Sequence, residues 1–232
     1  MFARIFVWMR VKFCGITNLA DGREAARLGA WAIGLNHHLE SPRYCEPAAA
    51  FEIVAELRRR LEVVGVFVDP TLDELATAAE DESLDMIQLH GDEGPAFCRE
   101  AARRTGCKVI KVLRVRSTAE IVAAEAFRTD FHLLDAHRPG RPGGTGESFD
   151  WELLSARRSS VPLILAGGLT PANVADGVVA ARPFAVDVAS GVEVRPGVKD
   201  HALMAEFAER ALAATASAGG EVVSGAELER GR

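Results

Sequence analysis

A cysteine, an aspartate, an arginine and two glycine-rich loops are the parts of this chain that could do chemistry. Cys14 ends the run Arg10-Val11-Lys12-Phe13-Cys14 and is followed by Gly15. The run alternates with the two-residue period of a strand, Gly15 breaks it, and Thr17-Asn18 offer capping side chains ahead of a helical run from Leu19. A thiol where a strand hands over to a helix lies near the helix's positive end. That setting can lower a cysteine from its free pKa of about 8.5 and make it a base or nucleophile. A small buried apolar residue, the usual state of a free cysteine, is the alternative.

Asp135 ends Phe131-His132-Leu133-Leu134-Asp135 on the side shared with Phe131 and Leu133. A carboxyl half-buried against apolar neighbours can have a raised pKa and act as a general acid, whereas taken alone an Asp at a strand end is a loop cap. Arg43, in Ser41-Pro42-Arg43-Tyr44, has the planar fork that clamps a carboxylate, or is a solvated loop arginine.

Gly167 and Gly168, in Ala166-Gly167-Gly168-Leu169-Thr170-Pro171, and Ser190 and Gly191, in Ala189-Ser190-Gly191-Val192, have the make-up of anion-binding loops. Glycines let backbone N–H groups approach an anion closely, and Ser190 adds a hydroxyl. The alternative is that Gly167-Gly168 only turns the chain. A third loop, Pro142-Gly143-Gly144-Thr145-Gly146, lacks the G-K-[ST] of a P-loop and reads as a mobile flap, with Asp150 capping the helix after it. Gln88, His90 and Asp187 also alternate towards the interior and read as structural or supporting polar residues. His37-His38 is an adjacent pair, a poor geometry for two ligands of one metal, so no metal site is expected.

The elements that must position these residues follow from the apolar pattern. Strands are expected at 10–14, 31–35, 63–67, 85–89, 108–113, 131–135, 161–165 and 184–188, and the clearest helices at 46–61, 71–80, 95–105, 117–127, 171–181 and 199–212. Thr71 with Glu74 and Ser117 with Glu120 match the capping box, and Thr170-Pro171 sets a cap before a first-turn proline. Short apolar strands alternating with helices, in a chain near the usual length, predict an α/β fold: a single (β/α)8 TIM barrel over residues 9–212. A doubly wound sheet is the rival, but no G-x-G-x-x-G follows the first strand and no break divides the chain. In a barrel the site lies at the carboxyl ends of the strands. The loops after strands seven and eight, those of Gly167-Gly168 and Ser190-Gly191, are where this fold most often holds phosphate.

Composition narrows the function. A net charge of −6 and a pI near 5.6 argue against nucleic-acid binding and leave any anion to be caught by local groups. Four cysteines without a C-x-x-C pair suggest neither a disulfide scaffold nor zinc and fit a reducing cytoplasm. Residues 1–8 are apolar but too short for a secretory core or a membrane span; they read as a stub, with Met9 as a possible start. Residues 213–232 drift into Ala, Gly, Ser and Glu and read as a frayed, disordered tail.

Taken in order, Lys12-Phe13-Cys14-Gly15-Ile16-Thr17, Ser41-Pro42-Arg43-Tyr44, Val64-Gly65-Val66-Phe67, Gln88-Leu89-His90-Gly91, Leu133-Leu134-Asp135, Gly143-Gly144-Thr145-Gly146, Phe149-Asp150-Trp151, Gly167-Gly168-Leu169-Thr170-Pro171 and Val186-Asp187-Val188 resemble phosphoribosylanthranilate isomerase from residue 9 to about residue 211. The resemblance implies an Amadori rearrangement of N-(5-phosphoribosyl)anthranilate in tryptophan biosynthesis, with no cofactor. It implies Asp135 as the acid at the furanose ring oxygen, Cys14 as the base at C2, Arg43 on the anthranilate carboxylate and the two glycine loops on the phosphate. The expected partner is therefore a small-molecule substrate, with no nucleic acid and no membrane; monomer and homodimer both remain open. One departure is Asn36-His37-His38, where the family usually has an aromatic or apolar residue near position 37, which bears on contacts around the anthranilate ring. Two rivals are a barrel acting on an aminoaldose of histidine biosynthesis, chemistry usually carried by a pair of aspartates, and a non-catalytic protein that keeps the phosphate grip.

Overall fold

In a computed structural model of the chain, the structure describes residues 9–115, 117–135 and 156–217. Eight parallel strands form a closed barrel in sequence order: β1 Arg10–Cys14, β2 Ala32–Asn36, β3 Glu62–Phe67, β4 Met86–Leu89, β5 Lys108–Arg114, β6 Phe131–Asp135, β7 Leu163–Ala166 and β8 Ala185–Val188. The helices are α1 Leu19–Arg27, α2 Pro47–Leu57, α3 Leu72–Asp81, α4 Pro95–Thr105, α5 Thr118–Ala123, α6 Val174–Ala181 and α7 His201–Ser217. The expected barrel is the one observed. The expected flap at 142–146, the Asp150 cap, the stub at 1–8 and the tail from 218 onward lie outside the described residues.

Strand alternation divides the side chains between two cores. Ala32, Val64, Met86, Ile110, Val112, Phe131, Leu133, Ile164, Ala166 and Ala185 fill the barrel. Their neighbours, among them Phe13, Ile33, Leu35, Val63, Phe67, Ile87, Leu89, Val109, Leu165 and Val186, face the helices. Because the side-chain period is two, one residue of slip would exchange these sets, so burial on both faces fixes the register. At the amino end, Trp31, Phe131 and Phe184 meet with ring centroids 5.1–5.4 Å apart, and the Arg10 guanidinium lies over Phe184. With that end stopped by aromatic rings, the polar strand ends form the opposite mouth.

Local signals set several helix starts. Thr71 and Glu74 form the expected capping box, and Ser117 Oγ accepts from the Glu120 amide. The start at Thr170-Pro171 is corrected: Asn173 Oδ1 accepts from the Thr170 amide within a turn, and α6 begins at Val174. The last helix also differs from the expected 199–212. A two-stranded piece, β9 Glu193–Arg195 with β10 Val198–Lys199, intervenes after β8, and Asp200 then accepts from the Ala202 and Leu203 amides to start α7. That helix runs on to Ser217 and buries Ala214, so residues 213–217 are helical rather than part of a tail. Phe207 packs its ring on Phe13, holding α7 against β1.

One buried ion pair lies outside the barrel wall. Lys111 Nζ, on the helix side of β5, meets Glu93 Oε2 at 2.6 Å, with both side chains 3% exposed. It also donates to the carbonyls of Leu89 and Gly91, while Glu93 Oε1 accepts from the Asp69 and Gly91 amides. The pair thereby clamps the backbone on both sides of His90. Removing one partner of a buried pair strands the other charge, so Lys111→Met is expected to lose about 3–5 kcal/mol of stability in urea titrations. Lys111→Met combined with Glu93→Gln should recover part of that loss.

Candidate active site

Cys14 and Asp135 both come at the carboxyl ends of interior-facing runs. Cys14 follows Lys12 on the inner face of β1, and Asp135 follows Phe131 and Leu133 on the inner face of β6, with β7 and β8 between the two strands. Both are partly exposed at the mouth. Asp135 Oδ2 lies 3.8 Å from His90 Nε2, so the histidine expected to be merely structural reaches the candidate acid across β5. Gln88, below it on the inner face, is buried, and its Oε1 has no hydrogen-bond partner among the described residues.

The surroundings of Cys14 differ from the sequence expectation. The start of α1 is capped by Asn18, whose Oδ1 accepts from the Asp21 amide, and Asp21 turns to the Lys199 amide and His201. The positive groups near the sulfur are lysines instead. Burial pushes the Cys14 thiol up, while Lys12 and Lys199 pull it down and Asp187 adds to the rise. Gly34, paired with Cys14 across the β1–β2 ladder, makes room for this: a Cβ there would stand 2.8 Å from Cys14 Sγ and 3.1 Å from Lys12 Nζ.

Arg43 is held at the rim. Its Nε and Nη2 bind the two oxygens of Glu193 at 2.7–3.1 Å, and its Cδ passes over Gly15, where a Cβ would be 2.7 Å away. Gly15 also has φ of +73°, so two separate constraints require glycine there. Glu193 in turn receives Lys199 Nζ at 2.8 Å, and the same ammonium donates to the carbonyls of Cys14 and Ala189. Lys199 and Glu193, which had no motif to flag them, therefore tie the ends of β1 and β8 to the arginine. Lys12 stands in the sequence only as part of the Cys14 motif, and the one signal for Gly34 is its inner-face parity.

The two glycine loops after β7 and β8 come together. Gly167 and Gly168 both have positive φ. A Cβ on Gly191 would stand within 2 Å of the Leu169 carbonyl oxygen, so only glycine lets the two loops touch. Ser190 opens a short 3-10 turn beside them. His37, the departure noted in the sequence, turns outward: its ring stacks on Phe67 at 4.6 Å and its Nε2 lies 3.4 Å from Glu82. It is Asn36, bonded to Ser41 and the His38 amide, that carries the inner parity. Among the described residues no group of three metal-type ligands is assembled, and no helix is long and apolar enough to cross a membrane.

Residues 11–210 match the family model described as N-(5'phosphoribosyl)anthranilate (PRA) isomerase. The chain belongs to this family. It is 45% identical over 202 residues to N-(5'-phosphoribosyl)anthranilate isomerase of Geobacter sp. (strain M21), covering 87% of this chain and 97% of that one. Among solved structures, phosphoribosyl anthranilate isomerase from Thermotoga maritima superposes with a TM-score of 0.79 at 39% identity, over 88% of this chain and 98% of that one. A phosphoribosyl anthranilate isomerase in complex with reduced 1-(o-carboxyphenylamino)-1-deoxyribulose 5-phosphate gives 0.75 at 37% identity, with the same coverage.

Two outcomes follow for this candidate site. Gly34→Ala forces the thiol or its strand to move, and steady-state kinetics should show turnover lowered by about tenfold to a hundredfold, with about 1–3 kcal/mol lost in urea titrations. The Glu193 side chain is 4% exposed, which would raise its carboxyl, but hydrogen bonds from Arg43 and Lys199 hold it below the ordinary value of 4.5. Its contribution to stability is therefore complete above that value and is lost as pH falls through the lower folded one. Glu193→Gln should flatten the acid side of a Tm–pH curve.

Proposed function

We propose that Cys14 and Asp135 are the base and the acid of the family's rearrangement in this chain. The chain isomerises N-(5-phosphoribosyl)anthranilate to 1-(2-carboxyphenylamino)-1-deoxyribulose 5-phosphate, a step of tryptophan biosynthesis. The observation that supports the role assignment is that one thiol and one carboxyl end inner-face runs at the same mouth of the barrel.

The carboxylic acid of Asp135 donates its proton to the furanose ring oxygen as the C1–O bond breaks, and the anilino nitrogen's lone pair closes a C1=N iminium. The Cys14 thiolate then takes the proton from C2. The C–H pair becomes the C1=C2 bond, the C1=N pair returns to nitrogen, and the resulting enolamine tautomerises to the ketone. Atoms and charge balance without an oxidant or a cofactor. General acid and base catalysis of this kind contributes about 10²–10⁴-fold each.

The remaining groups orient the substrate. Backbone N–H groups of Gly167, Gly168 and Gly191 with the Ser190 hydroxyl are the proposed phosphate grip, supported by the close approach of the two loops. Arg43 offers five N–H donors. Glu193 occupies its Nε–Nη2 edge, which leaves the Nη1–Nη2 edge as the one suited to the anthranilate carboxylate. The three buried cysteines and the partly exposed Cys14, all free thiols, support a reducing, cytoplasmic setting.

Loss of anthranilate-type fluorescence on mixing the protein with freshly made phosphoribosylanthranilate measures the activity. Cys14→Ala and Asp135→Asn should each lower turnover by about a hundredfold or more with binding of a product analogue kept; wild-type rates in either variant refute its role. Arg43→Ala should raise KM for the carboxylated substrate more than for a decarboxylated analogue.

A further inference from the structure

The rearrangement assigns no task to Lys12, the buried lysine on the same inner face as Cys14. Lys12 is fully buried inside the barrel. The β1–β8 ladder sets it directly beside Asp187, and Nζ donates to Oδ1 at 2.8 Å. Lys12 also precedes Cys14 by one turn of the strand's alternation, on the same inner face. Since Cys14 Sγ and Lys12 Nζ both crowd the point where Gly34 lacks a Cβ, at 2.8 and 3.1 Å, the ammonium and the sulfur converge. An ammonium carries three donors, and Asp187 engages one of them.

The charges around the sulfur do not cancel. From β1 comes Lys12, from β8 Asp187, from β10 Lys199, from the loop after β2 Arg43, and from β9 Glu193. The facing strand β2 contributes Gly34, which has no charge. Glu193 is shared by Arg43 and Lys199, and Asp187 is committed to Lys12. Three cations thus stand against two carboxylates, and this surplus works against the burial that pushes the Cys14 thiol up. Buried charge is strongly disfavoured unless matched, so the surplus favours ionisation of whichever acidic group lies among these cations.

We infer that Lys12 is the counter-ion of the Cys14 thiolate, a positioning residue that acts on the substrate only through that sulfur. The inference rests on Cys14 being the base. Asp187 keeps the ammonium in place and at the same time competes for it. Asp187 and then Cys14 hold the Lys12 ammonium above its ordinary value despite its burial, which favours its charged form. Proton transfer is between C2 and sulfur, and Lys12 neither gains nor loses a proton.

The test is the pH dependence of Cys14 alkylation by iodoacetamide, with Cys14→Ser as the blank, read beside the pH profile of kcat/KM. Lys12→Met should move the alkylation midpoint and the acid limb of kcat/KM upward by about one pH unit or more, as loss of an adjacent opposite charge does. At neutral pH the rate should fall about tenfold or more and recover towards wild type at higher pH, which a packing defect would not produce. Asp187→Asn should move the alkylation midpoint downward, because the ammonium loses its other anion. Coincident midpoints in wild type and Lys12→Met overturn the inference, and should Lys12→Met not fold, an unchanged or raised midpoint in Asp187→Asn does so. A fully active Cys14→Ala would instead remove the assignment of the base, so the two failures are distinct.

Discussion

The seam between β1 and β8, where the barrel closes, carries the Lys12–Asp187 pair, and the remaining geometry depends on it. An ion pair in a barrel interior is tolerated only in the register that joins its two partners, because any other register buries each charge alone. Lys12 opposite Asp187 in the ladder therefore does more than fill space. It sets the height of Cys14 relative to the loop after β8, and that loop holds Ser190 and Gly191 and leads into Glu193 at the start of β9.

From that seam the polar structure spreads around the rim in one connected set. Lys199 bonds the carbonyls of Cys14 and Ala189 and the carboxylate of Glu193, and Glu193 holds Arg43. Arg43 lies over Gly15, so the chain of contacts returns to the turn just after the thiol. Gly191 presses on the Leu169 carbonyl and joins the loop after β7 to the same set. On the far side, Lys111 and Glu93 perform a similar task from outside the wall, fixing the backbone around His90, which faces Asp135. Asp135 and Cys14 are thus each backed by a buried lysine–carboxylate pair, one outside the barrel and one inside. Networks of this type are specific because every member must be satisfied together.

Much of the fold was legible because period-two apolar runs alternate with capped helical runs. β1 and β6 begin and end where alternation says, and the Thr71–Glu74 box appears as written. Errors fell at boundaries governed by contacts outside the local window. α6 starts at Val174 because Asn173 ties back to Thr170, and β9 and β10, three and two residues long, are too short for an alternating pattern to mark them. α7 continues to Ser217 because Ala214 finds a buried place, which composition alone does not reveal.

For the site, the sequence by itself determined the identity and order of the candidate groups: a thiol, an arginine, a carboxyl and two glycine loops, at the ends of the first, second, sixth, seventh and eighth strands of one kind of barrel. It did so because strand parity and loop position are local properties of a repeating βα unit. Only the tertiary structure decided what electrostatic company the thiol keeps. Lys12, Asp187, Lys199, Arg43 and Glu193 come from the two ends of the chain and from the β2 loop, and meet only on barrel closure. The expected helix start gave way to those lysines because α1 spends its first turn on its own Asn18 cap and on Asp21, whereas the Lys12 ammonium is buried beside Gly34, held by Asp187 and converging on the sulfur.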